Sequence, residues 1–212
     1  MVSFRKYILL QVNSMERGRI FTFRDLVFAP GKRANVAVIL SEMTKQGKLV
    51  RAEKGAYYRP KESLIGLKHR PLAHQEKVRF LSERMGGYTT GAQIYNQMQL
   101  TEQVAMITTI ATSNPVRRNE KMGIRLKCVK SYIDDLNGID LYHLRLLDAI
   151  KDIKSIPGTT PSDVYDRLIN YHFSKLNKDE LKKIAELALK YPPRVRKILA
   201  DILQDLGNER NK

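Results

Sequence analysis

Val36, Ile39, Leu40 and Met43 stand at i, i+3, i+4 and i+7, a spacing that lines one face of an α-helix. The pattern predicts a helix over about residues 32–46, stopped by Gly47, with Ala34, Val38, Ser41 and Lys45 on the opposite face. Upstream, a shorter helical pattern over 23–28 runs into a turn at Ala29-Pro30-Gly31. Downstream, two strand-like runs, 48–53 and 56–60, meet at a Lys54-Gly55 turn. Residues 3–15 read as a first helix capped by Ser3, with Tyr7, Ile8 and Val12 turned inward. Gly18-Arg19 breaks it, and Ile20–Thr22 is a short strand placed to pair with the hairpin.

Residues 61–71 (KESLIGLKHRP) are polar and end in proline, which makes them a linker with His69 as a solvated residue. Residues 74–85 follow as a helix with Val78, Leu81 and Met85 on one face, ended by Gly86-Gly87. Thr89-Thr90-Gly91 opens a helix over 92–98. The β-branched runs 105–112 and 122–130 read as a hairpin or small sheet around a basic loop holding Arg117, Arg118 and Lys121. From Ile139 onward the pattern is helical. Leu146, Leu147, Ile150 and Ile153 mark one face; Tyr165, Leu168, Ile169 and His172 mark the next, with Thr160 and Pro161 at its start. Leu181, Ile184, Ala185 and Ala188 follow a cap at Asn177, and Val195, Ile198, Leu199, Ile202 and Leu206 form a last stripe stopped by Gly207. Four consecutive amphipathic helices have to pack as a bundle.

The fold class is therefore mainly α with small β elements. Helix, strand, helix, helix and hairpin is the element order of a winged helix-turn-helix, assigned to 1–62. A small mixed α/β region (63–135) and a C-terminal helical bundle (136–212) pack together as one C-terminal domain. A winged helix usually binds DNA, and the charge agrees. The chain carries a net +16, and residues 1–63 hold +8 of it, from 13 Lys and Arg against 5 Asp and Glu. Such a field attracts polyanions. Lys32, Arg33 and Asn35 crowd the first turn of the 32–46 helix, where cations oppose the helix dipole and a nearby phosphate would offset the repulsion. The bland alternative is a solvated basic helix end. The candidate DNA-binding residues are Lys32, Arg33, Ala34, Asn35, Val38, Ser41 and Lys45 on the helix and Arg51, Lys54, Tyr57, Tyr58 and Arg59 on the hairpin. Strand alternation sends one of the two tyrosines to the core and the other to the surface.

Enzymatic chemistry finds little to stand on. No phosphate loop, zinc motif or Cys-x-x-Cys occurs, and no catalytic residue, metal ligand or cofactor is assigned. His143 and His172 lie on apolar helix faces and read as hydrogen-bonded core histidines. Asp134-Asp135 lacks a third ligand, and Cys128, the one cysteine, reads as packing in a strand. A single cysteine excludes an internal disulfide framework and suits a reducing cytoplasm. No run approaches the roughly 18 apolar residues of a membrane span. A protein-interaction module, with the winged helix turned to protein, is the main alternative to a DNA-binding regulator; a nuclease is a more distant one.

Three stretches carry a family resemblance. They are Gly47-Lys48-Leu49-Val50-Arg51 through Gly55-Ala56-Tyr57-Tyr58-Arg59-Pro60, Gly91-Ala92 through Leu100-Thr101-Glu102-Gln103-Val104, and Tyr191-Pro192-Pro193-Arg194-Val195-Arg196-Lys197-Ile198-Leu199 with Leu203 and Leu206-Gly207. In this order the chain resembles the AbiEi-type antitoxins of bacterial type IV toxin–antitoxin (abortive infection) systems. It departs from them at Leu199-Ala200-Asp201, where leucine–glycine–alanine belongs and Asp201 would loosen close helix packing. The resemblance implies a DNA-binding autorepressor of a two-gene operon. A single winged helix usually binds weakly, so two copies, a dimer on an inverted-repeat operator, are expected. The resemblance also implies functional antagonism of a nucleotidyltransferase-like toxin, without need of a stable complex.

Overall fold

The structure is a computed structural model that describes residues 3–62, 69–115 and 120–210. About half of the chain is helical, with two small sheets of three and four strands. It divides into two compact units, Met1–Leu81 and Ser82–Lys212. The sequence reading ended the first domain at 62 and packed 63–135 with 136–212 as one C-terminal domain. By compactness there is one division, and it falls within a helix, α3 (His74–Arg84). The predicted linker lies partly outside the described residues, as do Arg117 and Arg118 of the basic loop.

In the first unit α1 (Phe4–Ser14) begins where the Ser3 hydroxyl accepts from the Lys6 amide. Ile8 and Val12 are buried as the spacing predicts, but Tyr7 is 42% exposed and lies off the inward face. Strand β1 (Ile20–Thr22) follows. The helix predicted over 23–28 is only a 3-10 turn, Phe23–Asp25, held by a capping box between Thr22 and Asp25. Pro30 and Gly31 follow too soon for a full helix to propagate. Helix α2 (Arg33–Lys45) buries Val36, Ile39, Leu40 and Met43. It ends at Gly47, whose φ of +73° lets the Gly47 amide donate to Thr44 O at 3.0 Å and the Lys48 amide to Met43 O at 2.9 Å.

Strands β2 (Val50–Glu53) and β3 (Ala56–Tyr58) then form an antiparallel sheet in the order β1-β3-β2, with a bulge in β2 between Arg51 and Glu53. The first core joins α1, β1, α2 and β3 through Ile8, Val12, Phe21, Val36, Leu40 and Tyr57. Both tyrosines of β3 are buried, which corrects the expected split. Tyr57 packs against the rings of Phe21 and Phe23, each with centroids 6.3 Å away. Tyr58 faces the other way, beside its buried cross-strand partner Ile20. Alternation exposes one side only when that side of the sheet is wet, and β3 is a central strand covered on both.

The second unit contains β4 (Gly87–Thr90), α4 (Ala92–Gln97), β5 (Thr108–Thr112), β6 (Glu120–Lys121), β7 (Ile124–Lys130), α5 (Leu141–Asp152), α6 (Pro161–Tyr171), α7 (Lys178–Ala188) and α8 (Pro193–Arg210). The sheet order is β4-β5-β7-β6. Runs 105–112 and 122–130 do not form a hairpin with each other, because β5 and β7 are parallel. The hairpin is the short β6–β7 pair. Strand β4 escaped the sequence reading. Its start requires glycine, since a Cβ at Gly87 would lie 2.2 Å from Ala111 O.

Helix α5 is buried nearly all round, with His143, Leu144, Leu146, Leu147, Asp148, Ala149 and Ile150 inside. Helices α4 and α6 to α8 and strand β4 close over the same core. Capping boxes start α6 at Thr160–Asp163 and α7 at Asn177–Glu180, as the sequence predicts. Gly207 does not end α8, which runs to Arg210. A glycine in ordinary helical conformation weakens a helix by about 1 kcal/mol without terminating it. Asp201 points to solvent while Leu199 and Ile202 stay buried, so it does not loosen the packing. Among the described residues no helix is long and apolar enough to cross a membrane.

Candidate nucleic-acid interface

The surface of α2 follows from its amphipathic pattern. With one face buried, Lys32, Arg33, Ala34, Asn35, Val38, Ser41 and Lys45 are all solvent-exposed. Lys32 stands at the N-cap, where no side chain caps the helix, and the first turn contains no acid. Its opening amides are thus left to solvent or to an anion. The Arg33 guanidinium lies 5.1 Å from the centroid of the Phe23 ring, which fixes it at the N-terminal edge of the helix. Glu42, the one acid in α2, is paired with Arg5 of α1 at 2.6 Å. At that exposure the pair contributes about 0–1 kcal/mol, but it removes a negative charge from the field of the helix.

The hairpin divides the predicted residues. Lys54 sits exposed in the turn, and Arg51 is exposed with Nε donating to Glu53 O at 3.3 Å. Tyr57 and Tyr58 are inside, and burial pushes the Tyr58 phenol above its ordinary value. Arg59 turns away: its Nη1 donates to Asn13 O and, at 2.7 Å, to Met15 O. A cation on these carbonyls complements the C-terminal end of α1. Nine of the twelve sequence-derived residues are thus exposed, and Tyr57, Tyr58 and Arg59 belong to the framework instead.

Residues outside the twelve DNA-binding candidates surround Arg59. Arg17, Lys48, Glu62 and His69 join it along a groove of about 360 Å³ with Asn13, Gly47 and Pro60. Arg17 Nη1 donates to Pro60 O at 3.2 Å and approaches Glu62 Oε1 at 3.5 Å. Two of the groove's cations therefore serve carbonyls and a carboxylate, not an open anion site. No local pattern announces this groove, because its residues come from four separate stretches.

In the second unit the chemistry-bearing groups are internal. Asp148, 2% exposed, accepts from Tyr88 Oη at 2.9 Å and Thr90 Oγ1 at 2.8 Å on one oxygen, and from Tyr191 Oη and Lys151 Nζ, each at 3.3 Å, on the other. Burial, and then the Asp148 charge, push both phenols far up. They remain protonated donors, and through Tyr88, Thr90 and Tyr191 the cluster ties β4 and the segment just before α8 to α5. Tyr95 donates to Asp152 at 2.7 Å alongside it.

His172 Nε2 donates to Met98 O at 2.8 Å, and its Nδ1 receives the Tyr142 hydroxyl at 2.6 Å. It is the satisfied core histidine predicted. His143 is buried as well, but its Nε2 has no partner. Asp134 and Asp135 are exposed, and among the described residues no group of three metal-ligating side chains converges.

The two remaining motif stretches have structural roles. The Thr101 hydroxyl donates to Pro157 O at 2.5 Å, Gln103 packs against Gly158, and Tyr191 anchors α8 to Asp148. No protein-family model matches the chain, and no curated protein is significantly similar to it in sequence.

Proposed function

We propose that the chain is a DNA-binding regulator whose first unit acts as a winged helix-turn-helix. In this reading α2 enters the major groove and the β2–β3 hairpin is the wing. The observation that carries it is the exposed face of α2: a cation-rich, uncapped N-terminus leading into a stripe of small and polar residues. A solvated surface helix has no need to gather its cations where its own dipole opposes them. Lys54 and Arg51 then supply backbone contacts, which position the protein without reading sequence. The test is a gel shift with the DNA upstream of the gene. Asn35→Ala should weaken specific binding by roughly 1–3 kcal/mol per lost base contact, and Arg33→Ala should weaken all duplexes alike. Unchanged binding in both variants overturns the assignment of α2.

The resemblance to AbiEi-type antitoxins extends the proposal to an autorepressor that antagonises a nucleotidyltransferase-like toxin. What supports it is the order of the three motif stretches, two of which hold the second unit together. A nucleotidyltransferase-like reading frame directly downstream, toxic alone and tolerated with this gene, is the outcome that agrees. A protein-interaction reading is favoured by one feature, the exposed Val104, Met106 and Ile107 before β5. The apolar stripe of α8 gives that reading no support, since it is buried at Val195, Leu199, Ile202 and Leu206.

A further inference from the structure

We infer that α2 recognises A·T base pairs, with Asn35 on an adenine edge and Val38, next to Ala34, on thymine methyls. This rests on the proposed docking of α2 in the major groove and gives that site its sequence preference. Val38 occupies the middle of the outward stripe and is 57% exposed. Ala34 lies one turn before it and Ser41 one turn after, both exposed, so two apolar side chains share a row that faces solvent. One exposed valine is ordinary. Here it sits between cations at the two ends of the helix, Lys32 and Arg33 before it and Lys45 after it, and a polyanion facing those ends would cover the row between them.

The rest is decided by what the row lacks. Guanine is read in the major groove by the paired donors of arginine or lysine, and cytosine by a carboxylate. Arg33 is held over Phe23 at the N-terminal edge, Lys45 lies in the last turn, and the carboxylate of Glu42 is paired with Arg5. The central turns present an amide, a hydroxyl and methyl groups. An asparagine amide matches N6 and N7 of adenine, valine and alanine match the thymine methyl, and serine accepts either pair.

The test uses the full chain and selection from a random duplex library. The expected product has a core of A·T pairs. Replacing thymine by uracil in that core deletes only the methyl and should weaken binding roughly fourfold for each one covered. Val38→Ala, at an exposed position that keeps the helix, removes two methyl groups from the contact and should shrink the thymine–uracil difference. Asn35→Ala should lower the preference for adenine at one position by about fivefold or more. A G·C core, or a thymine–uracil difference undiminished in Val38→Ala, overturns the inference and leaves DNA binding intact. A chain that retains no duplex at low salt removes the underlying proposal as well.

Discussion

Asp148 is a buried carboxylate on which hydroxyls from separate elements converge. Its carboxylate answers three hydroxyls and an ammonium inside an apolar core. Asp148→Ala leaves those donors buried and unmatched, and a loss of about 3–5 kcal/mol is expected in urea unfolding. Asp148→Asn keeps the shape and should lose less. His172 gives a pH dependence of defined sign. Burial lowers its folded pKa below the unfolded value of about 6.5. Between the two values the unfolded chain holds the proton and the folded chain does not. Stability is therefore full above about pH 6.5 and is lost as pH falls toward the folded pKa. Urea midpoints should fall over that range, and His172→Gln should flatten that part of the profile. Arg59 and Lys54, equivalent in sequence, separate here. Arg59→Ala should lower stability, having lost two carbonyls at the end of α1. Lys54→Ala should leave stability alone, weaken all duplexes alike and reduce the salt slope by about 1.

At the scale of elements, α2 was legible because its apolar residues repeat over about two turns and one face had to be buried. Leu40→Ala, at a site with 0% exposure, should cost about 2–5 kcal/mol, measured by denaturation. Val38→Ala, two residues away, should change stability by no more than about 0.5 kcal/mol. The caps at Ser3, Thr160 and Asn177 were equally legible, since a cap is a local hydrogen bond between a side chain and an amide three residues on. Two short elements were not. Strand β4 is four residues long, too few for a period, and the 3-10 turn at Phe23 carries a helical pattern over a length that cannot sustain a helix. The parallel pairing of β5 and β7 is a choice between long-range partners, and both runs look the same in either arrangement.

For the whole molecule, the net charge of +16 sets the expected response to salt. If α2 and the hairpin neutralise phosphates, log K for any duplex should fall linearly with log salt, by about 0.9 per phosphate contact. A flat titration speaks against nucleic acid as the partner. The sequence by itself determined the helix faces, the caps and the concentration of charge in the first 63 residues, because these depend on spacing and composition within a few turns. Only the tertiary structure decided that both tyrosines of β3 are buried, that Arg59 serves α1, and that Asp148 collects hydroxyls from β4 and from Tyr191 just before α8. Those outcomes turn on which distant surface covers a residue, and a local pattern does not record its future neighbour. The same distinction runs through α2. Its outward stripe was visible as a period, while the pairing of Glu42 with Arg5 and the stacking of Arg33 on Phe23, which leave Asn35 and Val38 at its centre, required the fold.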